Sequence, residues 1–159
     1  MCEIKDNFLT IEEHIALKTL MEADTFPWYF LKGKVTRTEK LFDYQFVHIF
    51  YKDNIVNSDF FHHLNPIIKK LEPLSLIRIK ANLNPITNKL VEFDKHPDQF
   101  FKCKAAIYYL NDSDGYTMIG DNKIESKSNR IVLFDANEEH YGTNSTNCNN
   151  RMLINFNYF

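Results

Sequence analysis

The closing segment of the chain constrains the fold more tightly than any other. From Arg151 to Phe159 the residues alternate with a period of two: Met152, Ile154, Phe156 and Tyr158 fall on one side, and Arg151, Leu153, Asn155 and Asn157 on the other. That period belongs to a β-strand whose apolar side needs a hydrophobic layer to lie against. The other side carries a cation and two amides. In a strand taken alone this is more often a solvated face; at the mouth of a barrel it is a ligand wall.

Short aromatic and β-branched runs precede it and predict further strands over Trp28 to Leu31, Tyr44 to Tyr51, Leu74 to Leu83, Lys104 to Asn111, Tyr116 to Ile119, Lys123 to Ser126, Arg130 to Phe134 and Glu139 to Thr143. Asp114-Gly115 and Gly120-Asp121-Asn122 are hairpin-turn signals. Two helices are expected. Thr10-Ile11-Glu12-Glu13 is a capping box that opens a helix over 11–23, with Ile11, Ile15, Leu17, Leu20 and Met21 at helical spacing. A second runs from Ser58 to Leu71, with a kink expected at Pro66. Many short strands after two early helices predict a mainly β fold with helices packed on one sheet, a sandwich or jelly roll.

The length of 159 residues fits one domain, and 44% apolar with 14% aromatic residues supply one core. A formal charge of −2, from 19 basic and 21 acidic residues, offers no basic field for a phosphate backbone, so no nucleic-acid partner is expected. No apolar stretch approaches the roughly 20 residues of a membrane helix, and the first residues are charged rather than signal-like. Cys2, Cys103 and Cys148 are scattered and odd in number, which fits a reducing, cytoplasmic setting; Asn144-Ser145-Thr146 then reads as a chance sequon.

His96-Pro97-Asp98 places an imidazole and a carboxylate on one side of an extended chain, where both can reach one metal. HxD alone is a weak motif. His140 is the candidate third ligand, and two histidines with one carboxylate form the facial set of non-haem Fe(II) oxygenases. The other histidines compete poorly. His62 and His63 point about 100° apart on a helix, His14 reads as a solvated helix residue, and His48 reads as a satisfied core histidine. Arg151 can grip a carboxylate with two parallel hydrogen bonds, and the Tyr109 phenol could donate to the same group. The polar stretch from Pro85 to Lys95 is too long for a tight turn and is expected to flank the mouth, with Leu90, Val91 and Phe93 as an apolar lid or as simple packing.

Taken in order, His96-Pro97-Asp98, Ile107-Tyr108-Tyr109-Leu110-Asn111, Asn129 to Phe134 with His140 after it, and Arg151 to Phe159 resemble the 2-oxoglutarate- and Fe(II)-dependent dioxygenases, in the prolyl 4-hydroxylase-like branch. The likeness spans about Ile77 to Phe159. It implies a double-stranded β-helix with His96, Asp98 and His140 as iron ligands. It implies Arg151 on the distal carboxylate of 2-oxoglutarate, with Tyr109 donating to it. The family often has a tyrosine on the strand before HxD; here Asn82 or Asn84 stands near that position, and Asn155 is a further polar contact. Asp98 sets the chain apart from the halogenases, which lack the carboxylate, and Asn157 from the nucleic-acid demethylases, which carry a second arginine there.

The resemblance further implies one catalytic domain over 1–159, with a helix-bearing support region over 1–73 and a jelly-roll core over 74–159. It implies Fe(II), 2-oxoglutarate and O₂, with ascorbate as reductant. The reaction would be hydroxylation of an unactivated C–H, first of a prolyl residue in a peptide or protein, with succinate and CO₂ as co-products. A free small molecule such as an amino acid is the alternative substrate, and a jelly-roll binding module without turnover is the alternative of another class.

Overall fold

The computed structural model describes residues 2–33 and 44–159. Among them, strands β1 (Glu3–Lys5), β2 (Tyr29–Lys32), β3 (Tyr44–Lys52), β4 (Ile55–Val56), β5 (Leu76–Pro85), β6 (Lys104–Tyr109), β7 (Tyr116–Ile119), β8 (Asn122–Glu125), β9 (Arg130–Asp135), β10 (His140–Gly142) and β11 (Asn150–Tyr158) form two antiparallel sheets. The larger runs β1-β9-β6-β11-β5-β3-β2, with β4 on β3, and the smaller runs β10-β7-β8. This is a mainly β jelly roll with two helices on one sheet.

Helix α1 (Ile11–Glu22) begins where the capping box places it: Thr10 accepts from the Glu13 amide and Glu13 reaches back to the Thr10 amide. Helix α2 is shorter than the periodicity predicts. Residues Phe61–Leu64 form a 3-10 turn and α2 spans Asn65–Leu71. Pro66 therefore starts a helix instead of kinking one, because a first-turn residue has no intrahelical use for an amide hydrogen. Two short strands escape the sequence pattern. In β1 every residue is exposed, and β4 has only two, so neither carries an alternation to read.

The alternation in β11 decides the architecture. Met152, Ile154, Phe156 and Tyr158 join a core with Ala106 and Tyr108 of β6, Ile79 and Ala81 of β5, and Leu17, Met21 and Ile67 of the helices. The expectation of a solvated opposite face does not hold. Arg151, Leu153 and Asn157 are buried there, and Asn155 is half-buried. That face is turned into the space between the sheets, where a second, smaller core gathers Ile107, Tyr109, Ile119, Val132 and Leu153. Ten-residue β5 lies antiparallel beside β11 and lends the same inner face the side chains of Arg78, Lys80, Asn82 and Asn84.

His14 corrects the reading of α1. It is 8% exposed, and its ring bridges the Tyr108 hydroxyl at 2.6 Å and Ser128 Oγ at 2.7 Å, while Ile11 and Ile15 face solvent. His48 is buried in the core, between the Pro27 carbonyl at 2.8 Å and Ser58 Oγ at 2.7 Å. The segment after β5 is not a free loop. Backbone bonds tie Thr87 to Ser145, Phe93 to Gly142 and His96 to His140, and the Asn144 side chain accepts from the Val91 amide at 2.8 Å. No helix among the described residues is long and apolar enough to cross a membrane.

Candidate metal centre

His96 and His140 face each other across an antiparallel pair and exchange both backbone hydrogen bonds, at 3.0 and 3.1 Å. Their rings lie 4.8 Å apart. In each, Nδ1 meets a backbone carbonyl two residues upstream at 3.1 Å, Asp94 for His96 and Glu138 for His140. A carbonyl oxygen can only accept, so Nδ1 carries the hydrogen and Nε2 keeps its lone pair. Asp98 is fixed by its amide, which donates to the Ala136 carbonyl at 2.9 Å. One ligand atom from each of His96, Asp98 and His140 lies within 4.8 Å of the other two.

Second partners aim the carboxylate. Asp98 Oδ1 accepts from Arg78 Nη2 at 2.7 Å, and Oδ2 accepts from Asn157 Nδ2 at 3.0 Å and stands 4.0 Å from His140 Nε2. Burial opposes ionisation of Asp98, but Arg78, His140 and Asn157 together hold its carboxyl below the usual carboxylate range. Burial keeps the His96 imidazole below its ordinary value, and the neighbouring His140 adds to this. The set is thus two imidazoles and one carboxylate, the donor chemistry of a ferrous site.

A cavity opens beside the three ligands, lined by His96 and His140 at one side and by Arg151, Asn82, Asn84 and Asn155 on its β5–β11 floor. Arg151 is 1% exposed. Its Nε donates to Ser126 Oγ at 2.6 Å, Nη1 to the Thr143 carbonyl at 3.1 Å and Nη2 to Thr117 Oγ1 at 2.9 Å. All three partners are neutral, and among the described residues no carboxylate pairs with it. Five N–H donors less three leave two, and a buried cation without a counter-charge is costly unless a ligand supplies one. The cavity therefore fits a carboxylate at its Arg151 end. Among the described residues the Oδ1 atoms of Asn82, Asn84 and Asn155 are likewise buried without partners, so the floor is polar and unsatisfied.

Tyr109 sits differently from the expectation. Its hydroxyl donates to Thr117 Oγ1 at 2.9 Å, its ring lies beneath the Arg151 guanidinium at 5.6 Å, and it is not among the cavity's lining residues. Thr117 lines the cavity in its place. Its oxygen already accepts from Tyr109 and Arg151, which leaves its own hydroxyl hydrogen to donate. Of the suggested lid residues, Phe93 reaches the cavity, while Leu90 is exposed. Gln45, Lys80, Arg78 and Thr117 went unread in the sequence. Only the alternation of Arg78, Lys80, Asn82 and Asn84 along one strand offered a signal.

No protein-family model matches the sequence, and no curated protein matches it. Solved structures do. A prolyl hydroxylase from Trichoplax adhaerens, in complex with a hypoxia inducible factor oxygen degradation domain peptide fragment, aligns over 99% of this chain and 83% of its own, with TM-score 0.69 and 14% identity. The fold is that of the 2-oxoglutarate/Fe(II) oxygenases. A Pseudomonas putida prolyl-4-hydroxylase shares this oxygenase fold over 99% of the chain and 91% of its own, at TM-score 0.60 and 12% identity. So does the non-heme α-ketoglutarate-dependent epimerase SnoN from nogalamycin biosynthesis, over 99% and 77%, at TM-score 0.68 and 16% identity. The one oxygenase fold thus carries peptide-bound and small-molecule chemistry alike.

Proposed function

We propose that the protein is a 2-oxoglutarate- and Fe(II)-dependent dioxygenase that oxidises an unactivated C–H bond of its substrate. One observation carries the reading: a cavity is lined by His96 and His140, which cluster with Asp98, and by a buried Arg151 without an acidic partner among the described residues. His96, Asp98 and His140 would hold the iron by three protein atoms and leave positions open for co-substrate and O₂. When bound, the iron would let O₂ act as the oxidant, one oxygen atom going into succinate as 2-oxoglutarate loses CO₂ and the other into the substrate C–H.

The chain's own residues do the rest. Arg151 and Thr117 receive the distal carboxylate and fix the length of the co-substrate along the β5–β11 floor. Arg78 and Asn157 hold Asp98 ionised and aimed. Phe93 and Ile107 keep part of the wall apolar and limit water. Hydroxylation of a prolyl residue, as in two of the similar structures, is one form of this reaction; oxidation of a free small molecule is the other.

Succinate formation from 2-oxoglutarate by the Fe(II)-loaded protein tests the reading. Wild type is expected to form it slowly even without substrate, and His140→Ala to lose both iron and turnover. Arg151→Met is expected to raise the half-saturating 2-oxoglutarate concentration by at least about tenfold, about 1.4 kcal/mol, with iron retained. Iron binding without any succinate would overturn the proposal in favour of a binding module.

A further inference from the structure

The inner faces of β5 and β11 meet in four cross-strand rows: Asn84 with Arg151, Asn82 with Leu153, Lys80 with Asn155, and Arg78 with Asn157. Same-face residues along a strand are about 7 Å apart, two rises of roughly 3.4 Å. Arg151 marks the first row. The last row, Arg78 with Asn157, grips the metal carboxylate of Asp98. Between them stands a second cation of the cavity wall, Lys80, one row from the residues that hold Asp98.

Lys80 differs from the other inward-facing cations. Arg78 has the Asp98 carboxylate at 2.7 Å, and Arg151 has three neutral acceptors. Lys80 has no hydrogen bond or close ion pair among the described residues; it lines the cavity and feels the Asp98 charge only at longer range. Its cross-strand neighbour Asn155 has a buried Oδ1 with no partner among the described residues. Holding a half-buried lysine in a cavity wall without a close counter-charge is costly. Such an arrangement persists where a ligand provides the counter-charge.

The co-substrate does not account for it. In the proposed oxygenase, on which this inference rests, the distal carboxylate of 2-oxoglutarate lies on Arg151 and the keto acid end lies on the iron, whose own charge neutralises it. Lys80 then still faces the cavity without a close anion of its own, since the Asp98 carboxylate one row away is bonded to Arg78 and Asn157. We infer that Lys80 is the specificity-determining anchor for a carboxylate on the primary substrate, and that this substrate is a small organic acid, not a prolyl residue inside a peptide. A prolyl ring within a chain is neutral and apolar and would bury Lys80 unpaired. Asn82 and Asn155, flanking Lys80 on the floor, give polar partners for hydroxyl or amino groups on the same molecule.

The test uses Fe(II)-loaded protein saturated with 2-oxoglutarate. The probes are the protein L-amino acids and short aliphatic carboxylic acids, each beside its primary amide, together with proline-containing peptides blocked at both ends. Succinate above the substrate-free rate is read in wild type, Lys80→Met and Lys80→Arg, and the half-saturating 2-oxoglutarate concentration is measured in each. The expected result is stimulation by at least one free acid and not by its amide. Lys80→Met raises the half-saturating concentration of that acid by about tenfold or more, Lys80→Arg recovers most of the loss, and the 2-oxoglutarate value moves by less than about threefold.

If Lys80→Met does not fold, Asn155→Asp serves instead. It sets a carboxylate across from Lys80 and is expected to weaken the same acid. A Lys80→Met variant whose main defect is in 2-oxoglutarate would make Lys80 a co-substrate residue and overturn the assignment. So would stimulation confined to amides or blocked peptides, or no stimulation by any acid. A wild type that consumes no 2-oxoglutarate would instead remove the oxygenase reading beneath it.

Discussion

His96 and His140 are direct cross-strand partners, joined by both of their backbone hydrogen bonds. Two of the three proposed metal ligands are therefore held by main-chain bonds, and each ring meets a carbonyl two residues upstream. The backbone pair alone fixes the spacing of the two histidines. Metal removal is accordingly expected to leave the far-ultraviolet circular dichroism unchanged and to lower stability only by the binding linkage, about 2.7 kcal/mol at a free metal concentration of one hundred times Kd. Loss of the strand signal on chelation would show that the ion, not the backbone pair, assembles the site.

Asn157 and Arg78 stand in one cross-strand row and divide the two oxygens of Asp98 between them. In the proposed site each would orient the Asp98 ligand from behind. Asn157→Leu removes the partner of the oxygen nearer His140 and is expected to weaken metal binding by about 10- to 100-fold, the usual cost of losing such support. Metal titration checks this, and Asn157→Asp separates charge from geometry: a second carboxylate beside Asp98 should raise its pKa and weaken metal binding most at low pH.

Gly115 lies against the far side of Arg151. A Cβ there would stand 2.5 Å from Arg151 Cδ and would also collide with the Asn144 carbonyl oxygen, which is backbone and cannot swing away. Gly115→Ala must therefore displace the arginine stem. The expected result is a rise of about tenfold or more in half-saturating 2-oxoglutarate, about 1.4 kcal/mol, with metal affinity kept. Equal co-substrate requirements in variant and wild type would place the arginine's role elsewhere.

The parts of this fold that local pattern could carry were readable. The period-two segment 151–158, the Thr10–Glu13 box and the HxD signal each lie within a few residues of chain, and each has its physical cause there. What could not be read depends on register between distant strands. Nothing near Lys80 in sequence shows that it stands opposite Asn155, and nothing near Arg78 shows Asp98 20 residues away as its partner. His14 misled for the same reason. Its helix offers it to solvent by composition, and only the arrival of Tyr108 and Ser128, 94 and 114 residues on, makes it a buried bridge. Tyr109 shows the limit of a resemblance: its position in the chain is familiar, while its hydroxyl goes to Thr117.

Thr117 follows from that last point. Its oxygen accepts two hydrogen bonds and its hydrogen remains for a ligand at the Arg151 end of the cavity. A hydrogen bond to a charged group contributes about 1.5–3 kcal/mol, so Thr117→Val is expected to raise half-saturating 2-oxoglutarate by roughly 10- to 100-fold. Tyr109→Phe removes only a bond behind Thr117 and should cost less. Titration of co-substrate into both variants checks the order; a larger loss in Tyr109→Phe would restore the phenol as the direct contact.

His14 also sets an acid limit on stability. Burial holds its pKa below the ordinary histidine value, and the charge of Lys18 adds to this. The folded chain thus binds fewer protons at this site than the unfolded chain. The stabilisation it brings is whole above about pH 6.5, the unfolded value, and is lost as pH falls through the lower folded value. Each ring nitrogen of His14 has a hydroxyl partner, Tyr108 at Nδ1 and Ser128 at Nε2. His14→Gln keeps a donor and an acceptor but cannot take a proton. Urea unfolding of both proteins between neutral and mildly acid pH should show a shallower fall for the variant, the difference isolating His14 from His48, which burial also holds low. The Asp6 carboxylate, held well below its usual range by Arg130 and Lys127, does not enter this window, because its term is lost only at more acid pH. Parallel curves for the two proteins would mean that His14 titrates alike folded and unfolded, and that the acid sensitivity arises elsewhere.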